Sequence, residues 1–386
     1  MNRRSFLFFS LGTISTQLFA AAGSPRFLLV FLRGGYDAAN VLIPYSSDFY
    51  HEVRPNIAVP RDAALKLDSD WALHPALRES LYPMVQRGEV AFVPFAGSHD
   101  LSRSHFQSQD TIELGLAPEG ARSFESGFMN RLASALGATR SIAFSNRMPL
   151  AFRGAAPVAN VAIAAPKPKP PAVDARQSAL IAEMYSGTPL GAQVSEGFAV
   201  RESVMRDMAS EMEAANRNAV TARGFELQAQ RIARLMRGDY NLGFVDVGGW
   251  DTHVFQGGAT GYLATRLEEL GRGLSAFADG MGDAWRETVV VVLSEFGRTF
   301  RENGNRGTDH GHGSVYWVLG GSVRGGRVAG EQVRVSAATL HQERDYPVLN
   351  DYRSLLAGLS SRLYDLDSAR LVRVFPGVAP IELGLL

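Results

Sequence analysis

The run Thr288-Val289-Val290-Val291-Val292-Leu293 limits the fold of this chain more than any other feature. β-Branched side chains favour extended backbone, and four valines in a row leave no polar face on either side. Such a run belongs to a strand covered on both faces, the setting of a buried parallel sheet. Phe27–Leu32, Val90–Phe95, Leu242–Val247 and Val315–Leu319 read as further strands. Between them lie helical stretches. One contains a proline and begins near His74. A proline-free one spans Ala199 to Arg237, with Val200, Val204, Met208 and Met212 at helical spacing and Gly238 as a C-cap. A third carries Leu263, Leu267, Leu270, Leu274 and Phe277 on one face. The alternation predicts an α/β fold built on a doubly wound, mostly parallel sheet with helices on both faces.

Composition narrows the chemistry. The 386 residues contain no cysteine, which excludes disulfides, thiolate metal sites and a cysteine nucleophile. Lys+Arg and Asp+Glu are both 39, so the charge balance carries no footprint for nucleic acid or an anionic membrane. Any metal must be held by His, Asp, Glu or a hydroxyl, and there are only eight histidines. A redox role is disfavoured, because no Gly-x-Gly-x-x-Gly follows a strand.

Residues 1–22 read as a cleavable export signal: Arg3-Arg4-Ser5-Phe6-Leu7, a short apolar region containing Ser10, Thr13, Ser15, Thr16 and Gln17, then Ala20-Ala21-Ala22. The paired arginines resemble a twin-arginine signal, which implies the twin-arginine export machinery as a partner and a periplasmic or extracellular destination. The apolar stretch is shorter than the roughly 20 residues a membrane span needs, and no later run approaches that length. Pro166-Lys167-Pro168-Lys169-Pro170-Pro171 reads as an exposed polyproline-like connector, and residues 174–240 as a largely helical insertion or cap beyond it.

Polar residues collect where the strands end, the usual binding edge of an open α/β sheet. Asp37 follows the first strand, Ser98 to His105 the second, Asp251 and His253 the third, and Glu295 the fourth. Asp309-His310-Gly311-His312 precedes the Val315–Leu319 strand. Each has a structural alternative. Asp37 can close a Gly-Gly turn, Asp251 and Thr252 can cap a helix, and Glu295 can pair with Arg298. Together, carboxylate oxygens and neutral imidazoles in this arrangement suit a divalent ion such as zinc or manganese. In Ser98-His99-Asp100-Leu101-Ser102-Arg103-Ser104-His105, a serine at a strand-to-helix junction faces free backbone N–H groups that favour an oxyanion. An adjacent metal would make such a hydroxyl a nucleophile, and Arg103 could hold a phosphate or sulfate oxygen. The alternative is a Ser/Asp N-cap.

Several short motifs in register then resemble one family. They are Leu32-Arg33-Gly34-Gly35-Tyr36-Asp37, His74-Pro75-Ala76-Leu77, Ser102-Arg103-Ser104-His105-Phe106, Gly249-Trp250-Asp251-Thr252-His253, Ser294-Glu295-Phe296-Gly297-Arg298-Thr299, Asp309-His310-Gly311 and Asp351-Tyr352-Arg353. With the twin-arginine start, these look like the domain-of-unknown-function 1501 family over nearly all of residues 23–386. That family has no established activity of its own. Its grouping with the alkaline phosphatase and sulfatase superfamily implies an alkaline phosphatase-like α/β domain with metal at the strand ends.

Carried over by position, the resemblance implies Asp37, Asp251, His253, Glu295 and His312 or His310 as metal ligands, and Ser104 or Ser102 as nucleophile. Arg103 or Arg298 would steady the non-bridging oxygens, and His105 and Asp309 would be additional ligands. The metal would be one or two divalent ions, with zinc, manganese and calcium not distinguished. The sequence departs from the superfamily plan where Glu295 and Phe296 stand for an Asp-His pair, and where Asp251 and His253 are only two apart. The expectation is an exported metal-dependent hydrolase of phosphate or sulfate esters, acting on a small-molecule or polymer substrate. The alternative is a non-catalytic binding or assembly protein of the cell envelope.

Overall fold

The computed structural model describes residues 25–119, 123–137, 139–162, 175–199 and 224–386. The export signal, the proline-rich connector and the Val200–Met212 stripe lie outside these residues.

The expected strands form. β1 is Arg26–Arg33, and three short strands follow: β2 (Leu42–Pro44), β3 (Leu65–Lys66) and β4 (Trp71–Leu73), which pair in the order β2-β4-β3. The rest of the main sheet is β5 (Val90–Gly97), β6 (Ser141–Phe144), β7 (Val158–Asn160), β8 (Leu242–Gly248), β9 (Thr288–Ser294), β10 (Ser314–Leu319), β11 (Arg327–Val328) and β12 (Asn350–Asp351). Its order is β11-β5-β10-β9-β1-β8-β6-β7, with β12 also on β5. β1 pairs in parallel with both β8 and β9, and among the described residues of this sheet only β10 runs antiparallel, to β5 and β9.

The valine run behaves as its two apolar faces require. Val290 and Val292 enter one core with Leu28, Val30 and Leu32, while Val289, Val291 and Leu293 enter the other with Phe27, Leu29 and Phe31. Val289 to Val292 are all 0% exposed, and each such side chain stabilises the fold by about 1.5–3 kcal/mol. The first core is closed by helices Phe225–Arg237 and Tyr262–Met281, and the second by Phe128–Leu136, Tyr352–Tyr364 and Ser368–Val374. Helices on both faces of a mostly parallel sheet are the expected α/β architecture.

Two details refine the reading. Within 174–240, residues 225–237 belong to the helical layer against the sheet: Phe225, Ala229, Ile232 and Met236 lie in its core. The reversal of β10 turns its N-terminal end toward the carboxyl ends of β1 and β9. This is why a histidine loop that precedes a strand still reaches the binding edge. No helix among the described residues is long and apolar enough to cross a membrane.

Candidate metal centre

Three imidazoles meet over one carboxylate at this edge. His105 is the first residue of helix His105–Leu114, whose N-cap is Ser104. Its Nδ1 bonds to Glu295 Oε1 at 2.8 Å. His253 follows β8, and its Nδ1 bonds to Asp309 Oδ1 at 3.0 Å. His310 Nδ1 bonds to the Arg103 carbonyl at 2.9 Å. An acceptor at Nδ1 takes the N–H there and leaves Nε2 of His105 and His310 with its lone pair, the usual arrangement of metal-binding histidines. His253 Nε2, by contrast, faces acceptors in Asp251 Oδ1 and His310 Nε2 and donates there as well.

The Nε2 atoms converge on Asp251. His253 Nε2 is 2.9 Å and His310 Nε2 3.3 Å from Oδ1, and His105 Nε2 is 3.5 Å from Oδ2. One ligand atom each from His105, Asp251 and His310 lie within 4.8 Å of one another. His253 Nε2 stands 3.1 Å from His310 Nε2, beside this group. His105 Nε2 is buried without a hydrogen-bond partner. A buried orphan is costly, about 1–3 kcal/mol, unless something binds it. With the imidazole-rich donor set, that orphan nitrogen fits a divalent ion.

Local backbone explains the convergence. Gly311 lets its strand approach Arg298 so closely that a Cβ would lie 2.4 Å from the Arg298 carbonyl carbon, and Arg298 and His310 form an isolated bridge. Gly35, at φ 62°, leaves room for the Phe296 ring, which a Cβ would meet at 2.4 Å. That ring packs on both His105 and His310, with centroids 4.9 and 5.0 Å away. Phe296, where the superfamily plan has a histidine, thus forms an apolar wall.

The titratable groups around the cluster are shifted in both directions. Burial works against ionisation of Asp251, but the Arg298 guanidinium at 2.6 Å outweighs it and holds the carboxyl below its ordinary value. Burial also opposes ionisation of Glu295, and donors from His105, Gln109 and Ser294 overcome it. The bond to Glu295 raises His105, whereas burial lowers His310.

Several expected ligands stand elsewhere. Asp37 is 1% exposed and spent on Arg54, with Oδ2 to Nη1 at 2.6 Å and Oδ1 to Nη2 at 3.1 Å; Gln256 also donates to it. An Arg54-neutralised carboxylate closed on itself is not part of the imidazole group. His312 is buried beside His341, ring centroids 5.1 Å apart, and burial pushes it down to about 4. Glu295 accepts from Gly34 N, His105, Gln109 and Ser294, so its two oxygens serve the histidine and not the centre of the cluster. Asp309 likewise holds His253.

Both arginines are committed. Arg103 Nη2 pairs with Asp345 at 2.6 Å, and Arg298 also donates to Thr308. Ser104 is half-buried and makes no side-chain cap bond, leaving its hydroxyl unspent at the helix start, whereas Ser102 is exposed and accepts from Ser104 N. Sequence reasoning missed Arg54, which no motif marks. It also missed Gln109, though its four-residue spacing from His105 was visible.

The fold and cluster define an α/β protein with a histidine–carboxylate centre at the carboxyl edge of its sheet. By its sequence the chain belongs to the DUF1501 family, described as proteins of unknown function, which it matches over residues 24–375. No curated protein matches it. Among solved structures it is similar to a 2-O GAG sulfatase, at 11% identity and TM-score 0.40, covering 92% of this chain and 73% of that one. The lipoteichoic acid synthase LtaP from Listeria monocytogenes gives 7% and 0.39, covering 91% and 74%. A protein in the alkaline phosphatase superfamily from Vibrio parahaemolyticus gives 12% and 0.34, covering 77% and 60%.

Proposed function

We propose that the protein is an exported, metal-dependent hydrolase of phosphate or sulfate esters. The observation that supports this most is the convergence of His105, His253 and His310 on Asp251, each ring held at Nδ1 and His105 Nε2 left without a hydrogen-bond partner. A divalent ion held by His105, Asp251 and His310 would supply positive charge against the oxygens of a bound ester. Imidazole donors favour zinc or manganese over calcium, which takes six to eight oxygens.

Ser104 is the attacking group in this reading, at a helix start whose free N–H groups favour a negatively charged oxygen. Arg298 holds Asp251 in place and stays outside the substrate's reach. Arg103 acts through its carbonyl on His310, and its guanidinium is spent on Asp345. The commitment of both arginines favours a second reading, a non-catalytic envelope protein that binds such esters.

The test is the metal content of purified protein together with turnover of aryl phosphates, phosphodiesters and sulfates. Ser104→Ala is expected to abolish turnover while the metal content stays. Loss of turnover only on substituting His105, with Ser104→Ala active, would assign the attack to water. No metal and no turnover on any substrate would overturn the proposal.

A further inference from the structure

Helix His105–Leu114 carries His105, Gln109 and Glu113 at four-residue intervals, so the three share one face and stack along it. That face meets the ends of β1 and β9. Glu295 Oε1 takes both the His105 Nδ1 bond at 2.8 Å and the Gln109 Nε2 donor at 2.9 Å. Gln109 Oε1 in turn accepts from Arg33 Nη1 at 3.0 Å, and the same nitrogen stands 3.0 Å from Glu113 Oε1. Arg33 Nε donates to Asp246 at 2.8 Å, and Glu113 Oε2 accepts from Ala151 N at 2.9 Å. The result is a polar ladder from the metal centre into the body of the protein.

We propose that Gln109 is a positioning residue of the metal centre. It ties Glu295 to Arg33 in orientation while keeping their charges apart. An arginine directly on Glu295 would compete with His105 for the carboxylate, since charge-assisted pairs are the stronger ones. The neutral amide donates to Glu295 from one end and accepts from Arg33 at the other. Glu295 thereby keeps its full charge on the His105 Nδ1–H, and the Nε2 lone pair stays aimed at Asp251. Partners one step behind the ligands commonly control metal affinity in this way.

This inference rests on the metal reading above, and the experiment separates the two. In wild-type, metal-free protein, the ring nitrogens of His105 are expected to resonate as the Nδ1–H form by histidine-selective NMR; an Nε2–H ring overturns the ladder whether or not the protein binds metal. Gln109→Met keeps the length and loses both amide bonds. Its zinc affinity, by chelator competition, is expected to fall about 10-fold with an unchanged far-UV spectrum, the lower end for such partners. Glu113→Gln, which keeps an acceptor oxygen for only one of Arg33 and Ala151 but leaves the Gln109–Glu295 bond in place, is expected to stay within about twofold of wild type. Equal affinities for Gln109→Met and wild type, or equal losses in both variants, would overturn the positioning role. Failure of wild type to bind any divalent ion would count against the proposed function, leaving the tautomer measurement to decide the ladder.

Discussion

Two polar clusters lie at the same edge of the sheet and differ in what they leave unspent. Around Asp37 everything is used: Arg54 sends Nη1 and Nη2 to Asp37, Nη1 also to Asn40, and Nε and Nη2 to the Phe300 and Thr299 carbonyls. Around Asp251 the outer bonds are equally complete, but His105 Nε2 has no partner. The first cluster is a buried brace, whereas the second is partly exposed and keeps one ring nitrogen without a hydrogen-bond partner. Residue types alone cannot separate them, because both are strand-end carboxylates.

The largest effect should come from breaking the brace. Arg54→Ala strands the Asp37 charge and should cost about 3–5 kcal/mol in denaturant unfolding, as removing one partner of a buried pair does. A cost under about 1 kcal/mol would make Asp37 available as a ligand after all. His312 gives the next effect. Its folded pKa is about 4, against an ordinary value of 6.5, so the unfolded chain binds the proton first as pH falls. The stability involved is intact above about pH 6.5 and gone by about pH 4, a loss of about 3 kcal/mol. His312→Gln should flatten the thermal midpoint across that window, and an unchanged slope would show that other groups set it.

On the other cluster, His310→Ala should weaken zinc binding by at least about 100-fold, since even outer partners cost 10–100-fold. The metal-free protein should melt near the wild-type midpoint, because the ring is half-exposed. Equal stability losses for His310→Ala and Arg54→Ala would erase the contrast between the two clusters. The smallest effect belongs to Ser102→Ala: the residue is exposed, so stability should hold within about 0.5 kcal/mol and turnover should persist. Lost turnover there would move the nucleophile from Ser104 to Ser102.

The sheet was readable because its strands are apolar on both faces, and Thr288–Leu293 could form nothing else. The place where the polar side chains gather was readable too, since Asp251, His253, Glu295 and His310 all stand where strands end or a reversed strand begins. The roles were harder to read. A carboxylate is silent about whether its partner is a metal, a guanidinium or an imidazole, and Asp37 and Glu295 were settled by Arg54 and by His105 with Gln109. His105 looked like a supplementary ligand because the resemblance gave its position no primary role; only the helix that begins at it aims the ring at Asp251. The antiparallel course of β10 left no mark in the sequence, since strand direction depends on connections and not on local pattern.

The reversed strand also bears on how the pocket comes into being. Positions 105, 251 and 310 lie on three separate crossings of the sheet, and the last arrives only when β10 docks between β5 and β9. Contacts so distant along the polymer form late, after long loops have closed. On a nascent chain the cradle therefore does not exist until most of the polypeptide has been synthesised and the sheet is nearly whole. Metal uptake would then mark maturation rather than drive it, and a chelator should empty the folded protein without unravelling it.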